Sequence, residues 1–307
     1  MNRNDIYCPI TQTNNVNVIS KIDTKYIIEK WQNQYSIDVS SEFTGVENIY
    51  YCHSTVADFY FFYPIVTGSS KFYQILQEKF NWYYSNEKWE FDKVLSLLNK
   101  GDHIFELGCG SGNFLFKCNL NGYISKGIEY NKVAVDSAKG KGLDVELIDL
   151  KEFVDKKANV NQYDVVCSFQ VLEHVKDPIS ILINSMLLLR TGGKLIVSVP
   201  NRISFLKHKF ILFDHPPHHT CRWDVNSLSN LKNIIGAKSI SIYYEPLSYD
   251  HIWEFVGAYK IKFGKLFFFK IIPKKFKKYL EKYFIDFLVG GGRKLFRGHT
   301  IIAVYQK

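Results

Sequence analysis

The sequence predicts an α/β fold, a mostly parallel sheet with helices on both faces. Three observations carry that expectation. Between residues 102 and 200, short β-rich runs alternate with helix-length segments, the pattern of strands joined by crossover helices. The first run, His103–Leu107, opens the stretch HIFELGCGSGN, in which glycines fall at 108, 110 and 112. Two later runs, 238–245 and 299–305, alternate apolar and polar residues as further strands do.

Taken in order, residues 1–66 are rich in Asn, Ser, Thr, Ile and Tyr and show few helix patterns. Residues 71–99 carry helical spacing: Phe72, Ile75, Leu76, Lys79 and Phe80, then Trp89, Phe91, Val94, Leu95 and Leu98. Asn81-Trp82-Tyr83-Tyr84 lies between the two sets, just before the first core strand. The strand runs are 103–107, 123–129, 143–148, 163–168 and 193–199, with helical segments at 131–140 and 178–189 among them. In such a sheet the ligand sits beyond the carboxyl ends of the strands. A turn of glycines after a buried strand lets a ligand approach the backbone closely. The helix expected to start near Ser111 points its first N–H groups at that ligand. Glu129, about twenty positions after the turn, closes the second run and suits the two hydroxyls of a ribose.

The residues Glu106-Leu-Gly108-Cys109-Gly110-Ser-Gly112, followed by Glu129-Tyr130, resemble the class I S-adenosylmethionine-dependent methyltransferases. Three more stretches match that family in order: Leu147-Ile-Asp149-Leu150, Val165-Val-Cys-Ser-Phe169-Gln170-Val-Leu-Glu173-His174-Val, and Leu189 through Asn201. The resemblance implies a seven-stranded Rossmann-like sheet whose last strand is antiparallel, and S-adenosylmethionine as cofactor. Carried onto this chain, it assigns Glu106, Gly108, Cys109, Gly110 and Gly112 to the cofactor turn. Glu129 and Tyr130 fall at the ribose, Asp149 and Leu150 at the adenine, and Phe169 and Gln170 on the pocket wall. The sixth and seventh strands are usually close in sequence, whereas here about fifty residues separate them, far beyond ordinary loop lengths. The expected divisions are a ribbon-like segment 1–70, a methyltransferase core 71–251, a basic helical insertion 252–297 and a last strand 298–307.

The chain has 307 residues, 46% of them hydrophobic, enough for a sizeable core. It has no uninterrupted apolar run long enough to span a bilayer and no apolar signal core at its start, so a cytoplasmic protein is expected. The six cysteines form no C-x-x-C pair. Cys8-Pro-Ile-Thr11 and Cys52-His-Ser-Thr55 echo a zinc ribbon with half its ligands replaced, similar to the segment preceding the methyltransferase domain in some bacterial sugar-modifying enzymes. The formal charge is +9 and is localised: Ala258–Arg297 holds twelve Lys or Arg against Glu281 and Asp286, a surplus of ten. Basic residues interleaved with Phe and Leu read as a cover over the site, as a surface contacting anionic membrane through 258–297, or, with less support, as a nucleic-acid contact.

Methyl transfer needs the acceptor, the methyl carbon and the sulfur in line, and an oxygen acceptor benefits from a base near neutral pKa. The candidates are His174, after the fourth core strand, and His218 and His219 in Asp214-His-Pro-Pro-His-His-Thr-Cys-Arg-Trp223; sequence does not choose among them. Related enzymes of quinone precursors or RNA 2′-hydroxyls bind a metal through E-x-x-E-H. This chain reads Gln170-Val-Leu-Glu173-His174, so no metal site is assigned. The degenerate ribbon and the stretch Pro216-Pro217-His218-His219-Thr-Cys-Arg222-Trp223 resemble bacterial enzymes of capsule or surface-polysaccharide synthesis, and that resemblance implies an O-methyltransferase acting on a sugar hydroxyl, nucleotide- or lipid-linked, at the inner face of the membrane. The alternatives are a metal-assisted RNA or quinone-precursor methyltransferase and a non-catalytic cofactor-binding protein.

Overall fold

The structure, a computed structural model, describes residues 6–80, 83, 87–264 and 273–307. Its elements begin with β1 (Val16–Asp23), α1 (Thr24–Tyr35), β2 (Asn48–Ser54), β3 (Phe59–Tyr63), α2 (Ser70–Lys79) and α3 (Trp89–Leu95). The central part follows as β4 (His103–Leu107), α4 (Asn113–Leu120), β5 (Ile124–Glu129), α5 (Lys132–Gly140), β6 (Val145–Leu147), α6 (Leu150–Asp155), β7 (Tyr163–Phe169), α7 (Pro178–Leu188) and β8 (Leu189–Pro200). The chain closes with β9 (Cys221–Arg222), α8 (Val225–Ile234), β10 (Ser239–Pro246), α9 (Ile252–Gly264), α10 (Lys274–Val289) and β11 (Arg297–Gln306).

Seven strands form one sheet in the order β10-β11-β8-β7-β4-β5-β6. The five strands from β4 to β8 run parallel, and β11 lies antiparallel between β8 and β10. This is the expected Rossmann-like sheet with an antiparallel last strand. The central strands are covered on both faces, which is why β7 has five consecutive buried residues, Val165–Phe169, rather than an alternating pattern. The helices start where the sequence offers caps: Asn131 accepts from the amides of Val133 and Ala134, and Asp177 precedes Pro178 and accepts from Ser180.

The N-terminal part departs from the ribbon expectation. β1 and β2 are joined through the twelve-residue α1, and the antiparallel sheet β1-β2-β3-β9 takes its fourth strand from residues 221–222. Cys8 and Cys52 are free, buried thiols in the main core, and among the described residues neither joins a group able to ligate a metal. The alternation of β3 explains how this sheet is glued down. Phe59 and Phe61 point into the main core with Trp223, while Phe62 points to the other side, into a second core with Ile27 and Trp31. α2 buries Phe72 and Leu76 in that second core, so it packs with the N-terminal sheet rather than with the parallel one, across the boundary expected at residue 70.

The described parts of the long insertion are helical as expected. α9 and α10 share a small core of Phe255, Val256 and Leu288 with Leu247 and Ile252. Asn81, Trp82 and Tyr84 of the aromatic stretch before β4, and the aromatic-basic run 265–272, lie outside the described residues.

Candidate active site

A cavity of about 1420 Å³ opens at the carboxyl ends of the parallel strands. Its two ends are built differently. At one end, β4 delivers Glu106 and Leu107 and then turns through Gly108, Cys109, Gly110 and Ser111, all of which line the cavity. Gly108 and Gly110 both have positive φ. A Cβ on Gly108 would sit 2.7 Å from Cγ2 of Val171, itself on the cavity wall, so a side chain there would fill the berth. Gly112 caps α4 at φ +77°, and a Cβ there would meet Leu143 at 2.3 Å. Its role is helix packing, one step behind the wall.

Glu129 ends β5. Its Oε2 accepts from the Gly110 amide at 2.9 Å, and its Oε1 accepts from Tyr130 and Asn131 at 2.7 and 2.9 Å. A carboxylate offers about four lone-pair sites, so capacity remains for a ligand hydroxyl. Glu106 is 3% exposed, and its Oε2 has no hydrogen-bond partner among the described residues. Burial, reinforced by the nearby Glu129 charge and opposed by Lys88, holds its carboxyl well above the usual range. Tyr130, Phe169 and Gln170 line the cavity as expected. Asp149 and Leu150 do not: Asp149 caps α6 through the Glu152 amide at 2.6 Å, and Leu150 is in the core. Cys109 lines the turn with a thiol that burial pushes far up, so it is an inert packing group.

These residues fit S-adenosylmethionine. The orphaned Glu106 oxygen suits the ammonium of the methionine end, the Glu129 carboxylate suits the ribose, and the side-chain-free turn leaves room for the chain between them.

At the other end the wall is made of side chains from distant segments. His174 follows β7, and His218 and His219 come from the loop before β9. The three imidazole rings lie 4.5–4.9 Å apart between centroids. Nδ1 of His174 meets the His218 carbonyl at 2.7 Å, and Nδ1 of His218 meets the Phe213 carbonyl at 2.8 Å. A carbonyl only accepts, so both Nδ1 atoms carry the proton and both Nε2 atoms present lone pairs. Burial lowers His174 to about 4 and takes His218 and His219 well below the ordinary value, so all three are neutral at pH 7. The Tyr83 hydroxyl lies 3.1 Å from Nε2 of His218. Glu173 is 1% exposed, and burial raises its carboxyl to about 8.

The loop that carries the histidines is pinned by the N-terminal sheet. Phe213 stacks edge-on against Trp31 at 4.9 Å and His218 at 5.0 Å, and Arg222 binds Asp214 at 2.7 Å. Arg202 is tied to Asp224, and Lys207 and Lys209 do not line the cavity. The three histidines expected from sequence therefore do converge. Sequence reading missed Glu90, Glu245, His251 and His299 on the same wall. Glu90 is 5% exposed and accepts from Gln170 Nε2 at 3.2 Å, while Gln170 itself sits at φ +56°, a strained backbone for a non-glycine residue. The one available signal was an acid among the apolar residues of α3.

Comparison with known proteins bears on the family and the fold. A family model described as "Methyltransferase domain" matches residues 82–238, about half of the chain. Among curated relatives, the ubiquinone biosynthesis O-methyltransferase of Coxiella burnetii is 26% identical over 169 residues, covering 48% of this chain and 70% of that protein. The protein of the same name from Marinobacter nauticus is 32% identical over 117 residues, covering 36% and 48%. Apart from the first, the chain spans about half the length of the curated relatives it matches. A solved S-adenosylmethionine-dependent methyltransferase from Archaeoglobus fulgidus superposes with TM-score 0.52 at 20% identity, covering 77% of this chain and all of that one. A possible histamine N-methyltransferase from Thermotoga maritima superposes at 0.51 with 17% identity, covering 76% and 97%; both likenesses speak for the fold alone. With the glycine turn, Glu129 and the antiparallel last strand in place, the chain belongs to the methyltransferase-domain family and is a class I S-adenosylmethionine-dependent methyltransferase.

Proposed function

We propose that the chain is an O-methyltransferase whose acceptor is a hydroxyl of a sugar. The observation that carries this reading is the acceptor end of the cavity, where neutral imidazoles present Nε2 lone pairs, that of His218 shared with the Tyr83 hydroxyl, among carboxylates and tyrosine hydroxyls. A hydroxyl-rich acceptor satisfies such groups, and an apolar one leaves them unpaired in the dark of the cavity. When bound, S-adenosylmethionine supplies an electrophilic methyl group on a sulfonium. Glu106 and the glycine turn hold one end of the cavity and aim its ligand toward the histidines. An acceptor hydroxyl hydrogen-bonded to an Nε2 lone pair would be oriented there and could pass its proton to the imidazole. Tyr83, against His218 Nε2, and Tyr73, 3.3 Å from His174 Nδ1, help hold the rings in place.

The insertion supports a lipid-linked form of that sugar at an anionic membrane surface. On α10, Phe276, Tyr279, Leu280, Tyr283 and Phe287 are exposed and recur at three- and four-residue steps, hence on one stripe. Lys274, Lys275, Lys277, Lys278 and Lys282 belong to the same helix. Aromatic side chains beside lysines match the acyl boundary and headgroups of an anionic bilayer. Among the described residues no helix is long and apolar enough to cross a membrane.

A second reading, a quinone precursor as acceptor, is favoured by the names of the curated relatives. Incubation with labelled methyl donor and two acceptor panels, nucleotide- and lipid-linked sugars against phenolic quinone precursors, separates them. Label in the sugars alone is the expected result, and label confined to the phenols overturns it.

A further inference from the structure

We propose that His174, His218 and His219, with Glu173 beside them, form a binding site for one divalent transition-metal cation of the kind imidazoles prefer, such as zinc. One ring nitrogen from each of the three histidines lies within 4.8 Å of the other two. Tetrahedral zinc with bonds of about 2.0–2.1 Å places its ligand nitrogens about 3.3 Å apart, so small rotations of rings already in contact close the site.

The hydrogen bonds behind the rings are those such a site needs. His174 Nδ1–H donates to the His218 carbonyl and His218 Nδ1–H to the Phe213 carbonyl, which fixes the tautomers and leaves Nε2 for a cation. His219 has the Asp214 carboxylate 3.7 Å from its Nδ1, and Asp214 is in turn held by Arg222. The Tyr83 hydroxyl now shares the His218 Nε2 lone pair, and a cation would displace it toward the cavity.

The independent sign is Glu173. Both of its carboxylate oxygens are buried with no hydrogen-bond partner among the described residues, and Oε1 lies 3.9 Å from Nε2 of His174. A buried carboxylate without donors is costly. A cation among the three lone pairs supplies the missing positive charge, and Glu173 makes the donor set three nitrogens and one oxygen. That set suits zinc or cobalt and not a hard cation, which takes six or more oxygens. Gln170 in place of the first acid of E-x-x-E-H removes a charge from a hard-cation site; three histidines converging beside Glu173 make a different, nitrogen-rich donor set.

A cation here would lower the pKa of a coordinated hydroxyl. That consequence rests on the methyl-transfer reading above; the site itself does not.

The test uses the full chain, dialysed against chelator and then titrated with Co2+ as a visible probe. One equivalent should bind with the absorption of nitrogen-ligated, low-coordinate cobalt, and one equivalent of Zn2+ should displace it. His218→Ala and His219→Ala should each weaken binding by about 100-fold or more, and Glu173→Gln by about 10-fold. Calorimetry with S-adenosylhomocysteine on each variant confirms that the fold and the cofactor end survive. Should a variant fail to fold, the stoichiometry and spectrum of the wild-type chain still decide. Binding below a tenth of an equivalent at micromolar cobalt, or equal affinity in wild type and both histidine variants, overturns the proposal. A chain that binds cobalt here but methylates neither acceptor panel keeps this site and loses the acceptor reading.

Discussion

The two ends of the cavity solve the same problem, holding a polar ligand, with opposite means. The cofactor end is backbone: glycines 108 and 110 and the strand ends of β4 and β5, all within 103–131. The acceptor end is side chain: imidazoles and carboxylates brought from residues 73–90, 173–174, 214–219 and 245–299. A backbone berth needs one local turn and tolerates different neighbours. A side-chain wall needs several elements at fixed distances, and here the N-terminal sheet provides the clamp through Phe213, Trp31 and β9. If this division is right, the two ends should fail separately under mutation.

The largest effect is expected at the acceptor end. His174→Asn and His218→Asn should each lower turnover by about 100- to 10,000-fold, while S-adenosylhomocysteine affinity by calorimetry stays within about twofold. A parallel loss of affinity would dissolve the comparison. The converse is Glu129→Ala, which removes a charged acceptor for three backbone amides and for the ribose. It should weaken S-adenosylhomocysteine by about 10- to 100-fold and leave cobalt binding at the histidines unchanged.

The third expectation concerns pH and metal-free protein. Burial raises Glu173 to about 8, against about 4.3 in the unfolded chain. The folded state therefore keeps a proton that the unfolded state releases, and this group's contribution is present at low pH and lost as pH rises through about 8. Glu173→Gln mimics the protonated form, so its melting temperature should exceed that of wild type above pH 8 and converge with it below pH 5. Histidines work the other way. His174, lowered by burial to about 4, is refused a proton that the unfolded chain accepts near 6.5, so its contribution is lost as pH falls from 6.5 to 4. An acid limb near 6.5 in kcat/KM would show solvated imidazoles and sink the buried-wall description.

The smallest stability effect and a separable functional one are expected on α10. Phe276 and Tyr283 are exposed, so changing both to Ser should alter stability by about 0.5 kcal/mol or less. Flotation with anionic vesicles should nevertheless be lost, and retention of flotation, or binding to nucleic acid or protein instead, would remove the membrane contact.

Legibility followed the same division. The seven strands, the glycine turn and Glu129 were readable because each is a local pattern: an apolar run, a residue without a side chain, an acid at a fixed offset. Asp149 caps α6 and does not line the cavity, a use that fits the same sequence equally well. α1 escaped notice because its buried residues are only Thr24, Ile27 and Trp31, a narrow stripe in a polar helix.

What the sequence determined by itself is the glycine turn with Glu129 and the positions of the seven strands along the chain, since each arises from contiguous residues. It also named three histidines, but not their company. The tertiary structure alone decided that β9 joins the N-terminal sheet, that Phe213 locks the loop, and that a buried Glu173, its carboxylate without a hydrogen-bond partner among the described residues, ends beside His174. The physical reason is distance along the chain. Burial and lone-pair direction depend on groups forty to a hundred and fifty residues apart, and no local pattern records where such groups meet.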